Sequence, residues 1–221
     1  MKIYRNLYLL VAIILYPIIF YSKYIRLNFL SEILIPFFVT WVLLFVILNT
    51  KLNTKKDYWF VGAFVFICFG DYLINLTPYK QFSAVAFGCT HICLSIFYIS
   101  NTGFKKGSFK WIFVPVVLSI VAIIFTFKDF SEQYLRTIFI SYLVILSFML
   151  WRALSYIDST ASLMIKILVV FGSFFFYFTD IFVCMQVLYP QKIFISLTWI
   201  LYPPALVMLS LLSREQQISN V

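Results

Sequence analysis

Two aspartates, Asp71 and Asp180, stand inside long apolar runs, Phe-Val-Phe-Ile-Cys-Phe-Gly-Asp71 and Ser-Phe-Phe-Phe-Tyr-Phe-Thr-Asp180. A carboxylate in a lipid-embedded helix costs at least about 2.5 kcal/mol on insertion scales, so such residues mark sites by default. Two carboxyl groups in a dry cavity do not both ionise. One can then deliver a proton while the other stabilises a developing cation or orients water. The competing reading is structural, with the two aspartates serving as hydrogen-bonding glue between helices. His91 is the only histidine, and it too can either do chemistry or tie two helices together.

The elements that position these residues are transmembrane helices. The chain has 221 residues, 63% hydrophobic and 11% charged, with a mean hydropathy of +1.00, far outside soluble composition. Crossing the hydrocarbon core takes roughly 20 apolar residues. The pattern predicts eight spans: Leu7–Tyr21, Ile33–Leu48, Tyr58–Leu76, Phe82–Ser100, Trp111–Phe127, Tyr134–Leu154, Ser162–Leu188 and Ile193–Leu212. The first two are short. The first is read as an uncleaved span, because Tyr21-Ser22-Lys23 offers no small-x-small cleavage site. The expected fold is therefore all-α, a polytopic membrane helix bundle forming one integral membrane domain over residues 1–221. A β-barrel would alternate in hydropathy over about ten residues, which these runs do not.

The net charge of +9 does not suggest nucleic acid, since the basic residues lie at span ends. With the N-terminus inside, eleven fall on the inner side (Lys2, Arg5, Lys51, Lys55, Lys56, Lys105, Lys106, Lys110, Arg152, Lys166, Arg214). Six fall outside (Lys23, Arg26, Lys80, Lys128, Arg136, Lys192). This bias predicts both termini in the cytoplasm. Cys68, Cys89, Cys93 and Cys184 fall within spans, with no Cys-x-x-Cys pair.

Helices three and seven both carry an aromatic run ending in Asp, and each is followed by a tight turn, Thr77-Pro78-Tyr79-Lys80-Gln81 and Tyr189-Pro190-Gln191-Lys192. Helices four and eight then return with His91 and with Trp199–Tyr202. This suggests a four-plus-four internal repeat, with a site at the interface of the halves; chance similarity in a phenylalanine-rich chain is the alternative. Short loops predict that sequential helices are antiparallel neighbours. Pro36, Pro115, Pro203 and Pro204 lie within spans, tolerated where neighbours satisfy the freed carbonyls.

At about 1.5 Å rise per residue, Asp71, Asp180 and His91 lie about 9, 12 and 14 Å below the outer helix ends, in one layer. Helical spacing adds Asn75 to the Asp71 face, Tyr177 to the Asp180 face and Ser95 to the His91 face. Ser141 and Tyr142 on helix six, with Thr198 and Tyr202 on helix eight, can complete the lining. Arg152 reads as a residue snorkelling at the inner end of helix six. A single histidine excludes the usual zinc hydrolase set. Neither a Gly-x-Ser-x-Gly elbow nor a phosphate-binding glycine loop is present. No cofactor or metal is expected.

Phe69-Gly70-Asp71-Tyr72-Leu73-Ile74 with Phe82, Phe87 and His91 resembles the Gly-Asp…Phe…Ala-His signature of the YhhN family, the lysoplasmalogenases. Tyr142…Met149-Leu150-Trp151-Arg152-Ala153 is similar to that family's Tyr…Met-x-x-Arg-Ala helix. Gly172…Asp180 followed by Tyr202-Pro203-Pro204-Ala205 resembles its Gly…Ser-Asp and closing Tyr-x-x-Ala-Gln. The likeness runs from about Pro36 to the C-terminus. Departures are Ile35 where a lysine is usual, Thr179 for serine, Leu206 for glutamine, and no aromatic just after His91.

The resemblance implies eight transmembrane helices and cleavage of a lysoplasmalogen vinyl ether to a fatty aldehyde and a glycerophospho-alcohol. The substrate would be a lysophospholipid or related ether lipid drawn from the bilayer, and the setting a bacterial inner (plasma) membrane. Vinyl-ether hydrolysis needs an acid at the β-carbon and a negative group near the oxocarbenium ion, roles that fit Asp71 and Asp180. His91, Asn75, Tyr142, Tyr177, Tyr202 and Arg152 would bind or orient. Loss of the lysine and glutamine implies an altered head-group site or substrate. The alternative function is a lipid- or ion-handling transporter using the same carboxylates, or a non-catalytic member of the family.

Overall fold

A computed structural model describes residues 2–25, 28–104, 106–126, 133–189 and 191–219. Arg26, Lys105, Phe127, Lys128 and Pro190, named above, lie outside the described residues. Eight helices follow in order: α1 (Lys2–Tyr24), α2 (Asn28–Asn49), α3 (Lys55–Leu76), α4 (Ser83–Thr102), α5 (Phe113–Thr126), α6 (Gln133–Leu154), α7 (Leu163–Leu188) and α8 (Lys192–Ser219). No strand occurs among the described residues. All eight segments are long and apolar enough to cross a membrane, and the protein is an integral membrane protein.

The first two helices are longer than the hydropathy alone suggests, at 23 and 22 residues. Polar residues at their ends, including Lys23, Ser31 and Glu32, continue the helix instead of ending it. Local chemistry sets other boundaries. The Asp57 carboxylate accepts the Thr54 N–H at 2.8 Å and its hydroxyl at 2.7 Å, closing the first turn of α3. Ser162 accepts the Ile165 N–H at 3.4 Å to cap α7. Gly103 ends α4 at φ +63°, donating its N–H to Ile99 O at 2.8 Å. Pro115 does not interrupt a helix. A 3-10 helix over Lys106–Ile112 precedes α5, so Pro115 sits in the first turn, where its missing N–H costs nothing. In α8 the Pro203-Pro204 pair is interior. Pro204 frees the Ile200 carbonyl, and the Tyr16 hydroxyl of α1 donates to that carbonyl at 3.4 Å.

Seven helices close into a ring. α1 packs on α2, α2 on α3, α3 on α4, α4 on α6, α6 on α7, α7 on α8, and α8 returns to both α1 and α2. The expectation that sequential helices are neighbours fails at one place. α4 packs on α6, and α5 lies outside the ring against α6, because the 3-10 segment carries the chain across the end of the bundle.

A shift of four helices maps most of these contacts onto each other. The pairs α1–α2, α2–α3, α3–α4 and α2–α8 correspond to α5–α6, α6–α7, α7–α8 and α4–α6. Only α1–α8 lacks an extensive counterpart in α4–α5. The buried core runs through the ring from Tyr8 and Phe38 to Phe97, Phe176 and Leu209. Large apolar side chains such as Ile13, Phe29, Val85 and Val144 point outward, as a lipid-facing surface requires.

The packing of α7 on α8 depends on a glycine. A Cβ on Gly172 would stand 2.9 Å from Leu209 Cγ and Cδ2, whereas one on Gly88 would meet nothing within 4 Å. Gly172→Ala is expected to destabilise the protein by about 1–3 kcal/mol through overpacking, and Gly88→Ala to leave it unchanged. Thermal unfolding of the detergent-solubilised variants checks this; equal unfolding temperatures would contradict the packing described.

Candidate active site

Asp71 occupies the buried face of α3, 3% exposed. Its carboxylate Oδ2 accepts the hydroxyl of Tyr202 from α8. The preceding Gly70 allows α4 to approach, since a Cβ there would lie 3.1 Å from the Phe87 ring. Asn75 is turned to its own helix, its amide donating to the Asp71 backbone carbonyl at 2.9 Å.

Asp180 sits on α7, 7% exposed. Its Oδ2 accepts two short bonds, one from His91 Nε2 of α4 at 2.5 Å and one from the Tyr142 hydroxyl of α6 at 2.5 Å. The two donors are themselves 3.1 Å apart. Charge-assisted bonds of this kind are shorter and stronger than neutral ones. His91 is wholly buried, and its Nδ1 has no hydrogen-bond partner among the described residues. Ser95 donates to the His91 carbonyl at 2.7 Å, so its hydroxyl is directed at the helix backbone.

The Asp71 and Asp180 units are linked through one aromatic ring. Between their partners lies Phe176, one turn before Asp180 and fully buried. Its ring centroid is 5.0 Å from that of His91 and 6.0 Å from that of Tyr202. Trp199 closes the other side of Tyr202 at 5.8 Å. The layer therefore reads Asp71–Tyr202, Phe176, then His91–Asp180–Tyr142. Phe176 is absent from the sequence-derived site. Its i, i+4 relation to Asp180 could have indicated it, but it is one of 27 phenylalanines.

Other expected members point elsewhere. The Tyr177 hydroxyl meets Ser119 Oγ of α5 at 3.0 Å, away from Asp180. Thr198 bonds Gln186 and the Phe194 carbonyl, and Ser141 is exposed. Arg152 does not snorkel. It is fully buried, donates from Nη2 to Thr102 Oγ1 at 3.0 Å and Gly103 O at 2.5 Å, and lies over the Phe104 ring at 4.6 Å. The Thr102 hydroxyl and the Gly103 carbonyl at the end of α4 draw its Nη2 inward. Ten residues beyond Tyr142, it is about 15 Å further along α6. All four cysteines are free. No cluster of three or more His, Cys, Asp or Glu suited to a metal occurs among the described residues.

A ring of apolar helices around a buried layer with two carboxyl groups, a histidine and tyrosine hydroxyls defines a polytopic helical membrane protein with a buried polar layer. The family model described as the YhhN family matches residues 31–211, and the chain belongs to that family. No curated protein sequence and no solved structure matches it. Ile35 and Leu206 are both fully buried in the apolar core.

If the Tyr202–Asp71 bond holds α8 to α3, Asp71→Ala and Tyr202→Phe are expected to couple by about 0.6–1.7 kcal/mol, the range found for intramembrane hydrogen bonds. Tyr202→Phe combined with the distant Ser119→Ala is expected to be additive. A double-mutant cycle on unfolding in detergent measures both, and zero coupling for the first pair would remove the bond from the account.

Proposed function

We propose that this chain is an intramembrane hydrolase that cleaves the vinyl-ether bond of a lysoplasmalogen-type lipid, releasing a fatty aldehyde and a glycerophospho-alcohol. One observation carries the reading: within a chain of the YhhN family, two buried carboxyl groups differ in how they are held. Asp180 accepts two donors on one oxygen, an arrangement that favours a carboxylate anion. Asp71 is held by a single tyrosine hydroxyl and is the better proton carrier.

The reaction runs in balanced steps. Asp71 delivers its proton to the β-carbon of the vinyl ether, converting the C=C–O unit to an oxocarbenium ion. Asp180, negatively charged and fixed by His91 and Tyr142, stabilises that cation. Water adds to the cationic carbon and loses its proton to the Asp180–His91 pair, giving a hemiacetal. A proton returns from the Asp180–His91 pair to the ether oxygen, its bond to the former vinyl carbon breaks, and the hemiacetal hydroxyl passes its proton to Asp71, so the alcohol leaves, the aldehyde remains and the acid is restored. Tyr202 orients Asp71, and Phe176 keeps the layer between the acids apolar, which strengthens each electrostatic contact. The excess of basic residues at one set of helix ends supports cytoplasmic termini, with the acids nearer the opposite surface of a bacterial inner membrane.

Purified protein given lysoplasmalogen is expected to release aldehyde, and Asp71→Asn or Asp180→Asn to lower the rate about 100-fold or more, the usual scale of general acid–base catalysis. Aldehyde quantified by mass spectrometry decides it. Full rates in both variants, or no aldehyde from the wild type in any lipid mixture, would sink the proposal.

A further inference from the structure

At the end of the bundle away from the carboxyl layer lies a polar cavity of about 260 Å³. Thr102 and Gly103 at the end of α4 line it, together with Gly107 and Lys110 of the 3-10 segment before α5. Ser155 and Asp158 close it from a second 3-10 turn, Ser155–Asp158, that follows α6. Arg152 stands behind this wall. Both acceptors of its Nη2, Thr102 Oγ1 and Gly103 O, belong to lining residues.

We propose that this cavity binds a phosphate-type oxyanion, supplied either as free phosphate or as the phosphate of an anionic lipid head group. Arg152 is about 15 Å along α6 from Tyr142, so the site is separate from the carboxyl layer. The proposal therefore stands or falls independently of the hydrolase reading.

The observation that carries it is a buried cation with unused donors. Arg152 is wholly buried, and no carboxylate among the described residues lies within ion-pair distance of it. A guanidinium has five N–H donors. Nη2 uses its two, whereas Nε and Nη1 are buried with no hydrogen-bond partner among the described residues. The Phe104 and Trp151 rings, 4.6 and 5.2 Å from the guanidinium carbon, offset part of the cost of desolvating the charge. They supply no oxygen acceptor. An unpaired buried charge and unmade hydrogen bonds are each unfavourable. An oxyanion in the cavity relieves both, once the guanidinium turns towards it past Thr102.

The surroundings suit an anion. Lys110 lines the cavity. Lys56 donates to Asn101, next to Thr102, at 3.1 Å, and Lys166 donates to the Ile157 carbonyl, next to Asp158, at 3.0 Å. Asp158 opposes them, but its carboxylate is already engaged by Lys110 Nζ at 3.1 Å and by Trp111 Nε1 at 2.7 Å. There is also room, since a Cβ on Gly103 or Gly107 would meet nothing within 4 Å.

The test takes the full-length protein in a neutral maltoside detergent at constant ionic strength. Equilibrium dialysis measures radiolabelled inorganic phosphate, and native mass spectrometry measures dioctanoyl phosphatidylglycerol against dioctanoyl phosphatidylcholine. At least one of phosphate and phosphatidylglycerol is expected to bind at about millimolar concentration or below. Phosphate binding assigns the free anion; binding of phosphatidylglycerol alone, in preference to phosphatidylcholine, assigns the head group. For the probe that binds, Arg152→Gln is expected to weaken affinity about tenfold, the worth of a hydrogen bond to a charged group. Asp158→Asn, which keeps an acceptor for Trp111 and removes the opposing charge, is expected to tighten it several-fold. Lys51→Gln, outside the cavity, is the unaffected control.

Arg152→Gln also removes a tie to α4, so Asp158→Asn carries the test if that variant fails to fold. No binding of either probe, equal binding of the two lipids without phosphate binding, or an affinity that Asp158→Asn leaves unchanged or weakens overturns the proposal. Arg152 would then be a cap on the end of α4 and nothing more.

Discussion

Both carboxyl groups of the intramembrane layer are held from the opposite half of the chain. Asp71, on α3, accepts Tyr202 of α8; Asp180, on α7, accepts His91 of α4. Under the shift of four helices that relates the two halves, these are equivalent contacts exchanged across the interface. A carboxyl group in lipid that lacks such partners is unfavourable, so these two bonds favour bringing the halves together, which pack on one another through α4–α6 and through α8 on α1 and α2. The ring of helices draws on these bonds as well as on side-chain packing, since burying apolar surface alone gains nothing over lipid tails.

The departures from symmetry are where function fits. Asp180 gains a second partner, Tyr142 of α6, with no equivalent on Asp71, so two similar carboxyl groups acquire different hydrogen-bonding. Phe176 stands between His91 and Tyr202, keeping the two acid units near one another while excluding polar bridges. The other departure is α5, left outside the ring where its counterpart α1 packs on α8. One break differentiates the acids; the other leaves α5 outside the ring, against α6.

Much of this was legible in the sequence because lipid imposes few rules and enforces them strongly. Apolar run length marked all eight helices, and the energetic anomaly of Asp71 and Asp180 located the layer. The depth count placed His91 beside the two aspartates, and Tyr142, named as possible lining, bonds Asp180. Helical spacing did not find where the side chains of Asn75, Tyr177 and Ser95 end, and Arg152, read as snorkelling, is buried, since depth and face do not say where a flexible polar side chain ends. Asn75 and Ser95 found backbone carbonyls one turn away; Tyr177 found a serine on the displaced α5; Arg152 found the carbonyl end of α4. The exchange of partners between halves was also hidden, because a repeat in sequence gives equivalence and not contact.

The central claim is that carbon, not oxygen, receives the first proton, from an acid whose charge-bearing counterpart stabilises the cation. Running the hydrolysis in D2O and trapping the aldehyde at once by reduction tests it most directly. The account predicts one deuterium at C2 of the trapped alcohol, with formation of that product lost in Asp71→Asn. Aldehyde formed with no deuterium at C2 would contradict it.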